Sequence, residues 1–365
     1  MTTRELFNNI MHYGSYDRMP VIHWGGWPET NRRWTEEGYD WDCDALQFFG
    51  ADFYWSPAYC YLSVFPSFDM GLYPAFEKDV LEETDEFTVY RDETGVIQKA
   101  WKKESCIPHF MDFTLKSAKE WDLYKARLQP DPARIPDDLD KRIANVQSSG
   151  NPIIIGTGSL MGWIRNWMGV ENMSYLACED PDCYADMVNT IADLVCWQLD
   201  KIISRMSTPP DMGFGWEDIC GKTGPLVSPT IFRMCVAPGY EKIRAKLESY
   251  RVKLYCIDSD GDVEPLIKDW LDAGVNVQFP IEIGTWDPDP MKLRQKYGKE
   301  LRIIGGINKL ELEKGPAAID AEIQRRLPLM KDGGYIPMPD HLITPGTSLD
   351  NYRYYMKQMR ALRFN

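Results

Sequence analysis

Short apolar runs, each ending in polar residues, recur along this chain with helical patterns between most of them. They are PVIHWGG (20–26), ADFYWS (51–56), PIIIGTGS (152–159), MGFGWED (212–218), KLYCIDSDGD (253–262), VNVQFPIE (275–282), LRIIGGI (301–307) and GYIPMPD (334–340). Runs of this length, rich in β-branched and aromatic residues, read as strands. Helical starts and stops are legible between them. Ser117 with Glu120 forms a capping box, Asp180-Pro181 opens a long amphipathic stretch, and Gly274 stops VEPLIKDWLDAG. Strands alternating with helices imply a parallel sheet, and eight such units predict a closed (β/α)8 TIM barrel. FTVYRDETGVIQKAWKK (87–103) alternates about a DETG turn, which predicts a β-hairpin inserted after the second strand. No Gly- or Ser-rich linker and no internal repeat interrupts the pattern, so residues 1–365 read as one domain.

Composition narrows the function. A chain with 44% hydrophobic and 13% aromatic residues can bury a large core. A net charge of -14 and a pI near 4.9 oppose nucleic acid or an anionic membrane as partner, so ligands are expected to be neutral or to bring their own cation. The N-terminal MTTRELFNNIMHYG has no apolar core of signal-peptide length, and no apolar window is long enough to span a bilayer; the chain reads as soluble and cytoplasmic. Nine cysteines without a CxxC pair argue against a disulfide scaffold or a thiolate zinc knuckle, and read mostly as small core residues.

In a barrel the reacting groups sit where strands end. Here those tails carry His23, Tyr59, Arg165 and Asn166, Glu217 and Asp218, the Asp258, Asp260 and Asp262 series, Glu282, Asn308 and Lys309, and Asp340-His341. Asp262, just before VEPLIKDW, reads as a helix cap. His23, among aromatics, reads equally as a packed core imidazole or a ligand contact. Asp258 and Asp260, two apart on a strand, point to one face and need a cation or a proton between them. An EF-hand loop is excluded, because its sixth and twelfth positions would be Val263 and Asp269.

The segments GPLVSPTIFRMCVAPGYEKI (224–243), DSDGDVEPLIKDWLDAGVNVQFPIE (258–282) and GGYIPMPDHLITPGTSLDNYRYYM (333–356) resemble the uroporphyrinogen decarboxylase superfamily, which includes the corrinoid-dependent methyltransferases. The resemblance independently implies a (β/α)8 barrel. It also implies that a decarboxylase would carry two arginines after the first strand and an aspartate after the second. In this chain Gly25 and Glu29 stand at the arginine positions and Tyr59 near the aspartate; only His341 keeps its place. Without an arginine clamp a polyanionic tetrapyrrole would be poorly held. Thiol-specific methyltransferases of the superfamily hold zinc with a His-x-Cys pair and a later Cys. At those positions this chain carries Asp258, Asp260 and His341.

Three changed but metal-competent residues imply either a harder metal site, zinc or another ion, completed by Glu217 or Glu282, or a charge-balanced hydrogen-bond network without metal. A methyl ether loses its methyl group as the leaving oxygen gains charge, so a Lewis acid or a general acid there would lower the barrier. Trp24, Trp27, Trp55, Tyr59, Trp163, Trp167 and Trp216 fall near strand ends, where they could form an apolar pocket for a flat substrate. The resemblance thus implies a corrinoid-dependent methyltransferase, the substrate-specific component of an O-demethylase. It would move a methyl group from a small methoxylated, aromatic compound to the Co(I) of a partner corrinoid protein, since no DxHxxG cobalamin module is present. His341, Asp258, Asp260 and Glu217 are the expected catalytic or metal-holding residues. Tyr59, His23, Trp24, Arg165, Asn166 and Glu282 are the expected substrate contacts. A homodimer is compatible with the sequence. A decarboxylase-like lyase and a non-catalytic corrinoid- or tetrapyrrole-binding protein are the alternatives.

Overall fold

The computed structural model describes residues 1–55, 61–62, 71–102 and 108–364. Strands β1 (Ile22–His23) and β2 (Phe53–Tyr54) form a parallel pair in which Ile22 faces Phe53 and His23 faces Tyr54. After β3 (Tyr61–Leu62), residues 79–113 carry a separate four-stranded antiparallel sheet of β4 (Asp79–Glu83), β5 (Phe87–Arg91), β6 (Val96–Trp101) and β7 (His109–Phe113). The chain then alternates strand and helix. Strands β8 (Ile154–Gly156) and β9 (Met212–Trp216) are followed by a small ladder of β10 (Cys220–Gly221) and β11 (Gly224–Pro225). Strands β12 (Leu254–Asp258), β13 (Val277–Phe279), β14 (Arg302–Ile307) and β15 (Tyr335–Pro339) complete the series.

The main sheet has seven strands in the order β15-β14-β13-β12-β9-β8-β3, all parallel. Helices Gly162–Glu179 and Pro181–Ile203 separate β8 from β9, and Ala237–Ser249, Glu264–Asp272, Pro290–Tyr297 and Pro316–Asp332 fill later crossovers. Parallel strands covered on both faces need continuous apolar runs, and YIPMP at β15 is buried throughout. The fold is therefore mixed α/β around a parallel sheet. A closed ring of eight strands is not what the ladders display: β1 and β2 pair with each other, and the segment after β15 meets the one after β1 through a single bridge, Gly26 to Ile343. No helix among the described residues is long and apolar enough to cross a membrane.

Local signals act as their chemistry requires. Ser117 and Glu120 form the reciprocal capping box, the Asp180 side chain accepts from the Cys183 N–H at 3.1 Å, and Gly274 is left-handed after its helix. Asp262, expected as the cap of the next helix, lies one residue before the N-cap Val263 and accepts from the Glu264 N–H at 3.2 Å. Of the described cysteines, all free, only Cys235 and Cys256 are buried and Cys178 is exposed, so fewer are core residues than the apolar surroundings in sequence imply.

The glycine in DSDGD has a steric reason. Gly261 has φ +81°, and a Cβ there would lie 2.2 Å from the Cys220 carbonyl oxygen, so this turn, which follows Asp260, admits no side chain. Gly261→Ala is expected to destabilise the protein by about 1–3 kcal/mol. A denaturant midpoint equal to that of the unchanged protein would show that the turn tolerates a Cβ.

Candidate functional site

The C-terminal ends of β9 and β12 run side by side, with Asp258 in register with Trp216 and, across β13, with Phe279. Register places these three side chains on one face of the sheet. The Ser259 N–H donates to the Phe279 carbonyl at 3.0 Å and carries the extended course one residue past β12, toward Asp260. From β9, Asp218 enters the same place in a left-handed conformation, φ 46°, and its Oδ1 lies 3.4 Å from the Asp260 N–H. Burial, followed by the charges of Asp218 and Asp260, pushes the Asp258 carboxyl well above the usual carboxylate range. Burial and Asp260 likewise raise Asp218, against the opposing pull of Arg165, the Asp260 N–H and His341. Carboxyl groups packed this closely hold protons that isolated ones release.

Asp218 is the residue that sequence reasoning passed over in favour of its neighbour. Glu217 and Asp218 both lie beyond β9, and the chain's left-handed course at Asp218 accompanies side chains that go to different places. Glu217 turns inward. Its carboxylate accepts from the Ser159 hydroxyl at 2.8 Å, from the N–H groups of Leu160, Met161 and Gly162 at 2.9, 2.7 and 2.8 Å, and from the Tyr240 hydroxyl. Those amides open the helix Gly162–Glu179, whose positive dipole end suits an anion. Burial still holds the Glu217 carboxyl above the usual range. Its lone pairs are committed to the scaffold.

His341 reaches the carboxylates from the end of β15, its Nε2 lying 3.6 Å from Asp260 Oδ2. Its ring stacks on Trp27 at 5.2 Å with an interplanar angle of 10°, and Trp24 lies 5.6 Å away on a ring tilted by 39°. Its Nδ1 accepts the Leu342 backbone N–H at 2.8 Å. Glu282 does not join this cluster: Lys309 holds it at 3.3 Å, beside a buried Asp340 that accepts the Ile283 and Lys309 N–H groups.

A cavity of about 750 Å³ opens between β7 and the helix Gly162–Glu179. Phe110, Phe113 and Trp216 give it apolar walls, while Arg165, Asp218 and Asp260 give it charge. Arg165 donates to Asn166 Oδ1 at 3.2 and 3.0 Å and to the Asp218 carbonyl, and is paired with no carboxylate among the described residues. Arg165 and Asn166, the expected substrate contacts, both line this cavity. Tyr59 lies outside the described residues.

His23 is elsewhere. It is buried between the strand and the outer helices, its Nδ1 2.9 Å from the Tyr352 hydroxyl and its ring stacked at 4.7 Å on Phe49. Burial lowers its pKa to about 4. Trp163 and Trp167 stack on each other in the core, and Trp55 packs on Phe214 and Phe279, so the tryptophans serve the core more than the pocket.

The expected metal does not fit the residues present. Nδ1 of His341 faces the Leu342 backbone N–H, a contact that a neutral ring makes with its proton on Nε2, the atom a metal would need free. Glu217 has no oxygen to offer. Among the described residues no three His, Cys, Asp or Glu side chains are grouped to hold a metal ion.

Two outcomes test these placements. Glu217→Gln sets an amide N–H against the donors that now converge on the carboxylate, and is expected to lower stability by at least about 2 kcal/mol in denaturant unfolding; a loss below 0.5 kcal/mol on the order of surface changes would contradict the clasp. For His23 the folded state resists protonation that the unfolded chain accepts. Its contribution is therefore complete above the ordinary value of 6.5 and is lost as pH falls from there toward about 4. The slope is about 1.4 kcal/mol per pH unit. His23→Gln should remove that slope, and an identical pH–stability curve for the two proteins would place His23 in water.

Comparison with known proteins follows the same lines. No curated protein matches the chain. Among solved structures, a methyltransferase from Methanosarcina mazei is similar at 14% identity over 99% of this chain and 98% of its own, with a TM-score of 0.61, which shows a shared fold. KGPDC from Streptococcus mutans aligns at 15% identity over 57% of this chain and 85% of its own, with a TM-score of 0.26. The sequence model of uroporphyrinogen decarboxylase (URO-D) matches residues 152–362, the stretch that holds Asp218, Asp258, Asp260 and His341, and more than half of the chain. The protein belongs to the uroporphyrinogen decarboxylase family.

Proposed function

We propose that this chain is a methyltransferase that takes a methyl group from a small methoxylated aromatic compound and passes it to a corrinoid carried by a partner protein. The observation that carries this reading is the floor of the cavity, where Asp218 and Asp260 meet with Asp258 beside them under aromatic walls. Cleavage of a methyl–oxygen bond leaves its electron pair on oxygen, which then takes a proton; a carboxyl whose hold on its proton is strengthened by burial is suited to supply it. Asp218 lines the cavity and would make that transfer, with Asp258 and Asp260 favouring its protonated form. Arg165 and Asn166 would orient the ring. When bound, the corrinoid supplies a nucleophilic cobalt. The rim leaves it an apolar landing, since Phe110 and Val170 are 42% and 44% exposed. In this reading the β1–β2 ladder and the seven-stranded sheet are parts of one (β/α)8 domain that closes through Gly26 and Ile343.

The M. mazei methyltransferase fold supports this choice of chemistry, and the family's name favours a second, a lyase. Against decarboxylation of a polyanion, the segment after β1 offers no free arginine: Gly25 is a left-handed glycine and Glu29 is paired with Arg32. The test is anaerobic. Protein, reduced cobalamin and a panel of methoxyarenes are followed by cobalt absorption, with carbon dioxide release measured in parallel without cobalamin. Methylation of the cobalt is expected, with a fall of roughly 10²–10⁴ in rate for Asp218→Asn. Carbon dioxide release alone would transfer the assignment to the lyase.

A further inference from the structure

His341 occupies the position at which the resemblance puts a zinc-binding thiolate, yet its surroundings prepare it for another task. Leu342 directs its N–H into Nδ1 at 2.8 Å. The next residue, Ile343, donates to the Gly25 carbonyl at 3.0 Å and accepts from the Trp27 N–H at 3.1 Å. Trp27 in turn lies flat on the His341 ring, and Trp24 flanks it. The backbone that fixes the ring's hydrogen bond and the indole that fixes its plane are therefore pinned to each other.

A neutral imidazole has one N–H and one lone pair. With the lone pair of Nδ1 facing a backbone donor, the proton must reside on Nε2. Shifting it to Nδ1 would bring two hydrogens together at 2.8 Å between nitrogens and leave the Leu342 N–H without an acceptor. Nε2 in turn lies 3.6 Å from Asp260 Oδ2, beyond a direct hydrogen bond, so its N–H remains open to a ligand oxygen approaching beside that carboxylate.

We propose that His341 is locked as the Nε2–H tautomer and presents, beside Asp260, a hydrogen-bond donor to a ligand oxygen in place of a metal site. The oxygen acceptor it fits is that of an ether, or the oxygen of the phenol left when the ether is cleaved, since an anion would meet the carboxylate of Asp260. A thiolate, a larger and weaker acceptor, gains less from one N–H than from zinc. Leu342 and Trp27 act as positioning residues. The claim concerns the tautomer and the ligand class, so it stands or falls separately from methyl transfer.

The chain has four histidines, few enough to resolve one by one. In full-length protein labelled with nitrogen-15 at histidine, long-range nitrogen–proton spectra distinguish the two tautomers, and His341→Gln identifies the signal. Should that variant not fold, His12→Gln, His23→Gln and His109→Gln assign it by exclusion. The expected result is an Nε2–H pattern at His341 that one equivalent of zinc leaves in place, with no stoichiometric zinc retained after dialysis. An Nδ1–H pattern, or a zinc-dependent shift at His341 with one zinc retained per chain, would overturn the proposal.

Discussion

The buried carboxylate of Glu217 is the constraint on which the site depends. It closes the N-terminus of the helix that begins at Gly162, and the close approach leaves no room for a side chain there: a Cβ on Gly162 would lie 2.5 Å from the Glu217 carbonyl. The Glu217 backbone N–H also donates to the Asp258 carbonyl at 2.8 Å, so one residue joins β9, β12 and the helix that brings Arg165 to the cavity. A buried charge is tolerated when every lone pair is used, and this one is surrounded by donors. Because Glu217 is committed to the scaffold, the chain turns sharply after it, and Asp218 is the carboxylate delivered to the cavity.

Electrostatics follows from that delivery. Asp218 and Asp258 share a confined space in which burial and the neighbouring Asp260 raise their hold on protons. Arg165 moderates this without pairing to any of them. The result is a pocket with apolar walls and a floor rich in exchangeable protons, a combination suited to departing oxygen more than to a polyanion. His341 adds a donor of fixed direction at the edge.

Much of this was legible beforehand. The apolar runs from 152 onward are the strands of the sheet, because strands covered on both faces must be apolar throughout. The capping box at Ser117, the cap at Asp180 and the stop at Gly274 depend on residues within one turn, and local chemistry settles such features. The first third was less legible: where the apolar runs at 20–26 and 51–56 suggested full strands, the described residues place Ile22–His23 and Phe53–Tyr54 in a two-strand ladder, with Gly26 in a separate bridge. The grouping of Asp258 with Asp260 follows from the two-residue repeat of a strand.

What the sequence by itself determined is thus the α/β alternation and the presence of acid groups at strand ends, since both rest on periodicity and short-range bonding. Which acid faces which side was decided by tertiary structure alone. Glu217 and Asp218 are chemically alike and adjacent; a helix N-terminus arriving from 55 residues away claimed one and left the other to the cavity. His23 ends one strand and His341 follows another, and packing of Tyr352 and Phe49 around the first made it core. The proton of His341 was placed by a backbone amide whose direction exists only once Ile343 is held against Gly25. Orientation of this kind is set by long-range contacts, which no local pattern encodes.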